Sequence, residues 1–349
     1  MASFNEFVTN VTQDFFLPKV VDQVLNSNVL FVRLFTKPKP FMGEQLKVVI
    51  KTQKNPAGGS FGTAGTFNTA QTNTRKVMKF DPKFYYQAVT LYGTQVSINQ
   101  MKQTQIIDLI RTEMESNVED LSDTLGSAAY GIGSGDDMTG LDGIIDDGTN
   151  LSTYGELSRT DYPMLNSSVT TVGGPITLGL MASSYDSAKS GNKKPTIAIT
   201  DEATWTDYEA LLNPLVQAQY NALGAPQVGR EEKAMPGQAL KGQIGFDALM
   251  FRGKPIVADE KSPSGDFVWI NEDFLNVYTL KLSWGTPINL DKGTIEGGYY
   301  DGISEKNFGF TWTGWKEPTN QYARTGQILW AGNMIDKMPK SASKLESLT

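Results

Sequence analysis

The sequence predicts an α+β chain of two or three lobes, and three observations carry that reading. One is a long apolar stripe at helical spacing in the first half of the chain. Another is a pair of extended runs separated by a long segment without charge. The third is a later stretch in which short buried strands alternate with helices. At 349 residues, the chain is too large for one simple core.

The stripe is the strongest signal. Apolar residues fall at Ile107, Ile110, Met114, Val118, Leu121, Leu125 and Ala128, with steps of 3, 4, 4, 3, 4 and 3. Asn99 offers an N-cap oxygen. The glycines of Tyr130-Gly-Ile-Gly-Ser-Gly-Asp-Asp end the run. About 32 residues at 1.5 Å each make a rod of roughly 48 Å, a spine for other elements to lean on. Its core face carries Ile110, Met114, Leu121 and Leu125.

Before the stripe, Phe4, Phe7, Val8, Val11 and Phe15 repeat at near-helical steps, and Pro18 interrupts them. An apolar terminal arm must dock or fray. Lys37-Pro-Lys-Pro breaks the chain. A strand over residues 44–51 and an extended run over 75–91 then flank residues 55–74, which carry no charge. A two-stranded hairpin is marginal alone in water. A neighbouring subunit that completes it explains it best, through Phe61 and Phe67 at the tip and Phe4, Phe7 and Phe15 on the arm. The alternative for the tip is a disordered surface loop.

After the stripe, residues 144–168 read as loop and 176–188 as a helix. A buried strand follows at 195–200, then a helix capped by Asp201 through Leu212. Residues 213–240 read as a long polar loop. Strands are predicted at 248–251, 255–258, 267–270 and 277–284, with late strands at 308–313 and 327–332.

The chain has no histidine and no cysteine, which excludes Ser-His-Asp and Cys-His catalysis, disulfides and the usual zinc sites. A net charge of −7 argues against a dedicated nucleic-acid binder. The basic residues of Arg75-Lys-Val-Met-Lys and of 337–344 read as solvated surface. No run of 18 apolar residues occurs. The N-terminus lacks the pattern of a secretory signal, which points to a protein made and used in a cytoplasm.

In this order the elements resemble a major capsid protein of a tailed bacteriophage, of the HK97-like fold. The resemblance runs along nearly the whole chain. It is carried by Gly131-Ile-Gly-Ser-Gly followed by Gly140-Leu-Asp-Gly-Ile, by Thr196-Ile-Ala-Ile-Thr-Asp-Glu-Ala-Thr-Trp, and by Leu249-Met-Phe-Arg-Gly-Lys-Pro-Ile-Val-Ala-Asp. It implies an N-terminal arm (1–36) and an extended β-hairpin, the E-loop (37–92), lying across an adjacent subunit. It also implies a peripheral domain with the spine helix (93–161 and 308–349) and a mixed α/β axial domain (162–307). The implied protein is a non-enzymatic virion component without a cofactor, assembled in the bacterial host cytoplasm into an icosahedral shell around double-stranded DNA. Its partners would be its own copies in hexamers and pentamers, a portal, decoration proteins, and DNA touched non-specifically at the inner surface. Many relatives carry a cleaved scaffolding segment. Here the arm begins almost at Met1, so scaffolding is expected to be a separate protein or unnecessary. Encapsulin nanocompartments share the fold and are the alternative within this class.

Other sites weigh less. Gly131-Ile-Gly-Ser-Gly-Asp follows a helix, not a strand, and lacks the last glycine of a dinucleotide turn. No P-loop motif occurs. Asp136, Asp137, Asp142, Asp146 and Asp147 fail the EF-hand pattern and leave a non-standard cation site open. Trp269, Trp284, Trp312 and Trp330 read as core, while Trp312 with Trp315 is the alternative of a glycan groove. A carbohydrate-active or glycan-binding protein using these aspartates and tryptophans is thus the reading from another class.

Overall fold

The structure is a computed structural model that describes residues 28–35, 38–63, 65–94, 109–212, 248–282, 286–287 and 309–349. The arm with Phe4, Phe7 and Phe15, the expected start of the long helix at Asn99, residues 213–247 and Trp284 lie outside the described residues.

A short helix, α1 (Val29–Phe35), opens the described chain. Its first turn is held by Asn28 Oδ1, which accepts from Phe31 N at 3.2 Å, and by Asp259 Oδ2, which accepts from Leu30 N at 2.8 Å. Strand β1 (Lys39–Phe41) follows, then the antiparallel hairpin of β2 (Leu46–Lys51) and β3 (Arg75–Phe80). The extended run expected over 75–91 is two strands. Pro82 has no N–H to continue a ladder, and β4 (Lys83–Tyr92) leaves the hairpin to pair with β15 (Ala323–Asp336).

The long helix, α2, covers Leu109–Ala128. Met114, Val118, Leu121 and Leu125 are buried in the larger of two apolar cores, as the stripe requires, and Ile110 lies on the helix with its side chain outside the described set. Beyond the helix, Leu141 N and Asp142 N donate to Ala129 O and Tyr130 O at 2.7 and 3.3 Å. The next helix, α3 (Leu141–Ile144), is thereby tied to the turn that ends α2. Residues 144–168 are more ordered than a loop. They hold the two-stranded turn of β5 (Thr153–Tyr154) and β6 (Leu157–Ser158) and a 3-10 turn at Pro163–Leu165. The buried Arg159 guanidinium organises them by donating to the carbonyls of Gly143, Ile144, Asp146 and Leu165.

Then come β7 (Ser168–Gly174), α4 (Leu178–Ser187), β8 (Ile197–Thr200), α5 (Glu202–Leu211), β9 (Ala248–Phe251), β10 (Lys254–Ala258), β11 (Phe267–Ile270), β12 (Leu275–Leu280), β13 (Thr286–Pro287), β14 (Thr311–Trp312), β15 and β16 (Ser343–Leu348). Asp201 precedes α5 but makes no side-chain cap bond. Thr177 is the residue that caps, accepting from Leu180 N for α4.

Two sheets organise these strands. One runs β1-β12-β15-β14-β13, with β4 also on β15, and the other runs β7-β16-β11-β8-β10-β9. The second sheet is covered on both faces. Ile197, Ile199, Val257, Val268 and Ile270 point into the larger core, which also takes α2. Ala198, Ile256, Phe267, Trp269 and Leu345 point into a smaller core with Met181 and Tyr185 of α4 and Tyr208 of α5. A strand buried on both faces shows no alternation in its sequence. Strand β16, which the sequence grouped with the helix lobe, sits inside this second sheet between β7 and β11.

Candidate assembly surfaces

The β2–β3 hairpin has two unlike faces. Leu46, Val48, Ile50, Met78 and Phe80 turn toward the larger core. The root is gripped by the chain's own β5–β6 turn: Lys79 N donates to Gly155 O at 3.0 Å, and the Phe80 and Tyr154 rings lie 5.1 Å apart. Gly155 adopts φ +57°, and a Cβ there would come within 2.7 Å of Met78 Cβ. The expectation that a neighbour completes the hairpin is therefore corrected at the root, which its own chain completes. The tip and the outward face are another matter.

At the tip, Phe61 and Phe67 lie 4.9 Å apart, centroid to centroid, and stay 67% and 70% exposed. The surrounding backbone is held by local turns, such as Ala57 N to Asn55 Oδ1 and Ala70 N to Asn68 Oδ1, each 3.0 Å. The outward face of the strands carries the cross-strand pairs Lys47↔Lys79, Val49↔Val77 and Lys51↔Arg75.

A second exposed surface runs along β4. Phe84, Tyr86 and Tyr92 are exposed on one side of the strand, while Val89 and Leu91 are buried on the other. Tyr85 reaches inward, where its hydroxyl accepts from Met138 N at 2.9 Å. The alternation is legible in Phe-Tyr-Tyr-Gln-Ala-Val-Thr-Leu-Tyr, although the contacts expected between subunits fall at the hairpin tip and the arm.

The aspartates after the long helix have separate structural roles. Asp146 accepts from the backbone N–H groups of Gly148, Asn150 and Leu151. Asp147 accepts from Thr149 N and Oγ1, and the hydroxyl bond holds its carboxyl below the usual range. Asp142 pairs with Lys344 at 3.2 Å. Among the described residues no group of three or more acids is arranged to hold a metal ion. The tryptophans are core residues as expected: Trp269, Trp312 and Trp330 are buried. Trp312 lies over Gly326 and meets Trp315 edge-on at 5.0 Å, so its face is not open to a sugar.

Lys344 departs from the solvated reading of residues 337–344. It is 4% exposed, with its ammonium 3.1 Å from Glu346, 3.2 Å from Asp142 and 3.9 Å from Asp266. Burial works to lower its pKa, but these carboxylates outweigh burial and raise it. Asp266 is pushed up to about 6 by burial, against the pull of Lys344. The cluster joins α3 to the second sheet and is a structural tie.

No helix among the described residues is long and apolar enough to cross a membrane. No known protein-family model matches the chain, and no curated protein matches it by sequence. Solved structures do. The capsid asymmetric unit of cyanophage A-1(L) matches with a TM-score of 0.66 at 14% identity, over 99% of this chain and 100% of that one. The capsid of the native GTA particle matches at 0.59 and 8% identity, over 100% and 98%. The holo-SrpI encapsulin complex from Synechococcus elongatus matches at 0.56 and 10% identity, over 100% and 96%. The class these likenesses define is the α+β shell fold. Within it, the chain has the HK97-like capsid fold.

Proposed function

We propose that this chain is a major capsid protein that self-assembles into an icosahedral, DNA-filled bacteriophage head, a virion component built in the host cytoplasm. The observation that carries the reading is the end-to-end likeness to the cyanophage capsid subunit, with neither chain left over. In this reading the chain is structural and no enzyme. Residues 1–36 form the arm, 37–92 the E-loop, 93–161 and 308–349 the peripheral domain with α2 as its spine, and 162–307 the axial domain. The place of β16 in the second sheet favours moving residues 343–348 to the axial side. Phe61 and Phe67 of the tip, and Phe4, Phe7 and Phe15 of the arm, are proposed as contacts between subunits. A separate scaffolding protein, a portal and decoration proteins are the further partners, with DNA touched non-specifically from inside.

An obligate interface of about 2,000–5,000 Å² outweighs the repulsion of subunits of charge −7, because that repulsion is screened over about 8 Å at physiological salt. The test is expression of the full chain, alone and with its scaffold, followed by sedimentation and negative-stain microscopy. Closed shells or capsomers are expected. A strictly monomeric chain over a wide range of concentration and salt overturns the reading. The likeness to an encapsulin favours a second reading, a protein-filled compartment. Particles purified from their native source that hold protein cargo and no DNA would establish it.

A further inference from the structure

Two strands, β15 and β16, follow every other strand in the sequence and yet lie inside the two sheets. In the first sheet β15 pairs with β12, with β14 and with β4. Among the described residues β4 has no other strand partner, while β12 keeps only the three-residue β1 and β14 only the two-residue β13. In the second sheet β16 lies between β7 and β11, and among the described residues β7 has no other strand partner. Without residues 323–348 the first sheet falls into separate pieces and β7 detaches from the second. Both cores lose side chains as well: Ile328, Trp330, Met334 and Ile335 from the larger, Leu345 and Leu348 from the smaller.

The polar groups that this segment meets come far earlier in the chain. The Tyr154 hydroxyl accepts from Asp336 N at 2.9 Å and donates to Asp336 O at 3.0 Å. Ser167 Oγ donates to Pro339 O at 2.7 Å, and the hydroxyls of Ser184 and Ser343 lie 2.8 Å apart. All of these bonds are buried. A buried polar group that lacks its partner costs stability, so the earlier elements cannot pack in this way before the segment is present. The β2–β3 hairpin does not wait on it for its ladder. Those strands pair only with each other, and the ladder is complete at Phe80. At the usual rate of synthesis residue 348 follows Phe80 by on the order of 10–50 s.

We propose that residues 323–348 act as a closing strap, which completes both sheets and makes the chain competent to assemble only once it is in place. The inference rests on the shell reading and adds a control on when a subunit becomes available to the shell. Three features point to a strap rather than to one more pair of core strands. A late edge strand leaves the rest of a sheet intact, whereas β15 and β16 are internal. Pairing between strands as distant in sequence as β15 and β4 closes long loops and forms late. The glycines of β15 also fit closely against earlier strands. A Cβ at Gly332 would lie 2.4 Å from Tyr278 O, and one at Gly326 would lie 2.1 Å from Trp312 Cη2. A chain still in synthesis thus carries its exposed hairpin tip without a folded body for a neighbour to bind.

The test arrests the full chain on the ribosome behind a linker of two lengths. One carries residue 348 clear of the exit tunnel, and the other keeps residues 323–348 inside it. Limited proteolysis reads folding, and co-sedimentation with added free subunits reads competence to assemble. The long-linker chain should be cleaved roughly tenfold more slowly than the short-linker chain, and it alone should recruit subunits. Equal cleavage in the two arms, or recruitment by the short-linker chain, overturns the strap. Gly332→Val gives a second measurement in released full-length chain, because its side chain keeps β15 from seating beside β12. Co-expressed with the parent, this variant should be lost from the particles and leave their yield unchanged. Its incorporation in proportion to its expression, or a loss of parent particles, overturns the strap as well. If the parent forms no particles under any condition, the shell reading itself falls. If it forms them and the two arms behave alike, only the strap falls.

Discussion

Asp336 shows how a single buried group sets the response to pH. It lies at the end of β15, 1% exposed, and its Oδ1 accepts from Met338 N at 2.7 Å. Burial pushes its carboxyl up to about 7 despite that bond. An unfolded aspartate titrates near 3.9, so between roughly pH 4 and 7 the folded chain holds more protons than the unfolded one. Stability from this group is therefore full below the lower value and is lost as pH rises through the upper one. Asp266, pushed up to about 6, acts in the same direction. Asp336→Asn keeps the accepting oxygen and removes the charge. Thermal unfolding of the unassembled chain should show the variant more stable than the parent at pH 8, with the gap closing by pH 5. A variant less stable than the parent at pH 8 would mean that the ionised form has a partner the buried site does not reveal.

At the scale of elements, the junction after α2 rests on Gly140 more than on Gly131. A Cβ at Gly140 would come within 2.6 Å of Ala128 O and of Gly131 N, both backbone atoms that cannot step aside. Gly131, in the same turn, has φ outside the left-handed region, and a Cβ there would meet nothing nearer than Ala128 O at 3.4 Å. Gly140→Ala should therefore cost about 1–3 kcal/mol, the usual penalty of overpacking, and Gly131→Ala should be nearly neutral in the same denaturant titration. Equal losses would show that the turn needs glycine for some reason other than close packing. Both glycines stood in the sequence as one signature, and only their surroundings separate them. Other elements were legible for plain reasons. The strand at 267–270 is a continuous apolar run, and Met114, Val118, Leu121 and Leu125 keep the helical period. Strand β16 was not, because Ser-Lys-Leu-Glu-Ser-Leu reads as a charged surface segment. Lys344 can be buried there because Glu346, Asp266 and Asp142 meet it, the last just over two hundred residues earlier in the chain. Likewise, no local pattern in residues 75–91 says that β4 abandons the hairpin for β15, a strand some 240 residues on. Long-range pairing of this sort leaves no periodic trace.

The whole molecule keeps its two cores far from the hairpin tip. Phe61 and Phe67 belong to neither core and touch chiefly each other. Excising the tip should therefore separate folding from assembly. Replacing residues 54–72 with Asn-Gly joins Gln53 to Asn73 through a two-residue turn suited to the twist of antiparallel strands. The bond from Thr52 N to Thr74 O, 2.9 Å, and the ladder from Lys51↔Arg75 to Leu46↔Phe80 are left in place. The root still rests on Gly155 and Tyr154, and shortening a loop costs the folded chain little entropy. Circular dichroism and the midpoint of thermal unfolding should match those of the parent. Particle yield should drop sharply, because two large aromatic side chains and the uncharged surface around them are removed from contacts that only a second chain can make. The outward basic face stays intact, so this experiment isolates the tip from the strands of the hairpin. Particles of normal yield and normal thermal stability would show that the tip carries no contact between subunits, and assembly would then have to rest on the strands of the hairpin, the exposed row of β4 and the arm.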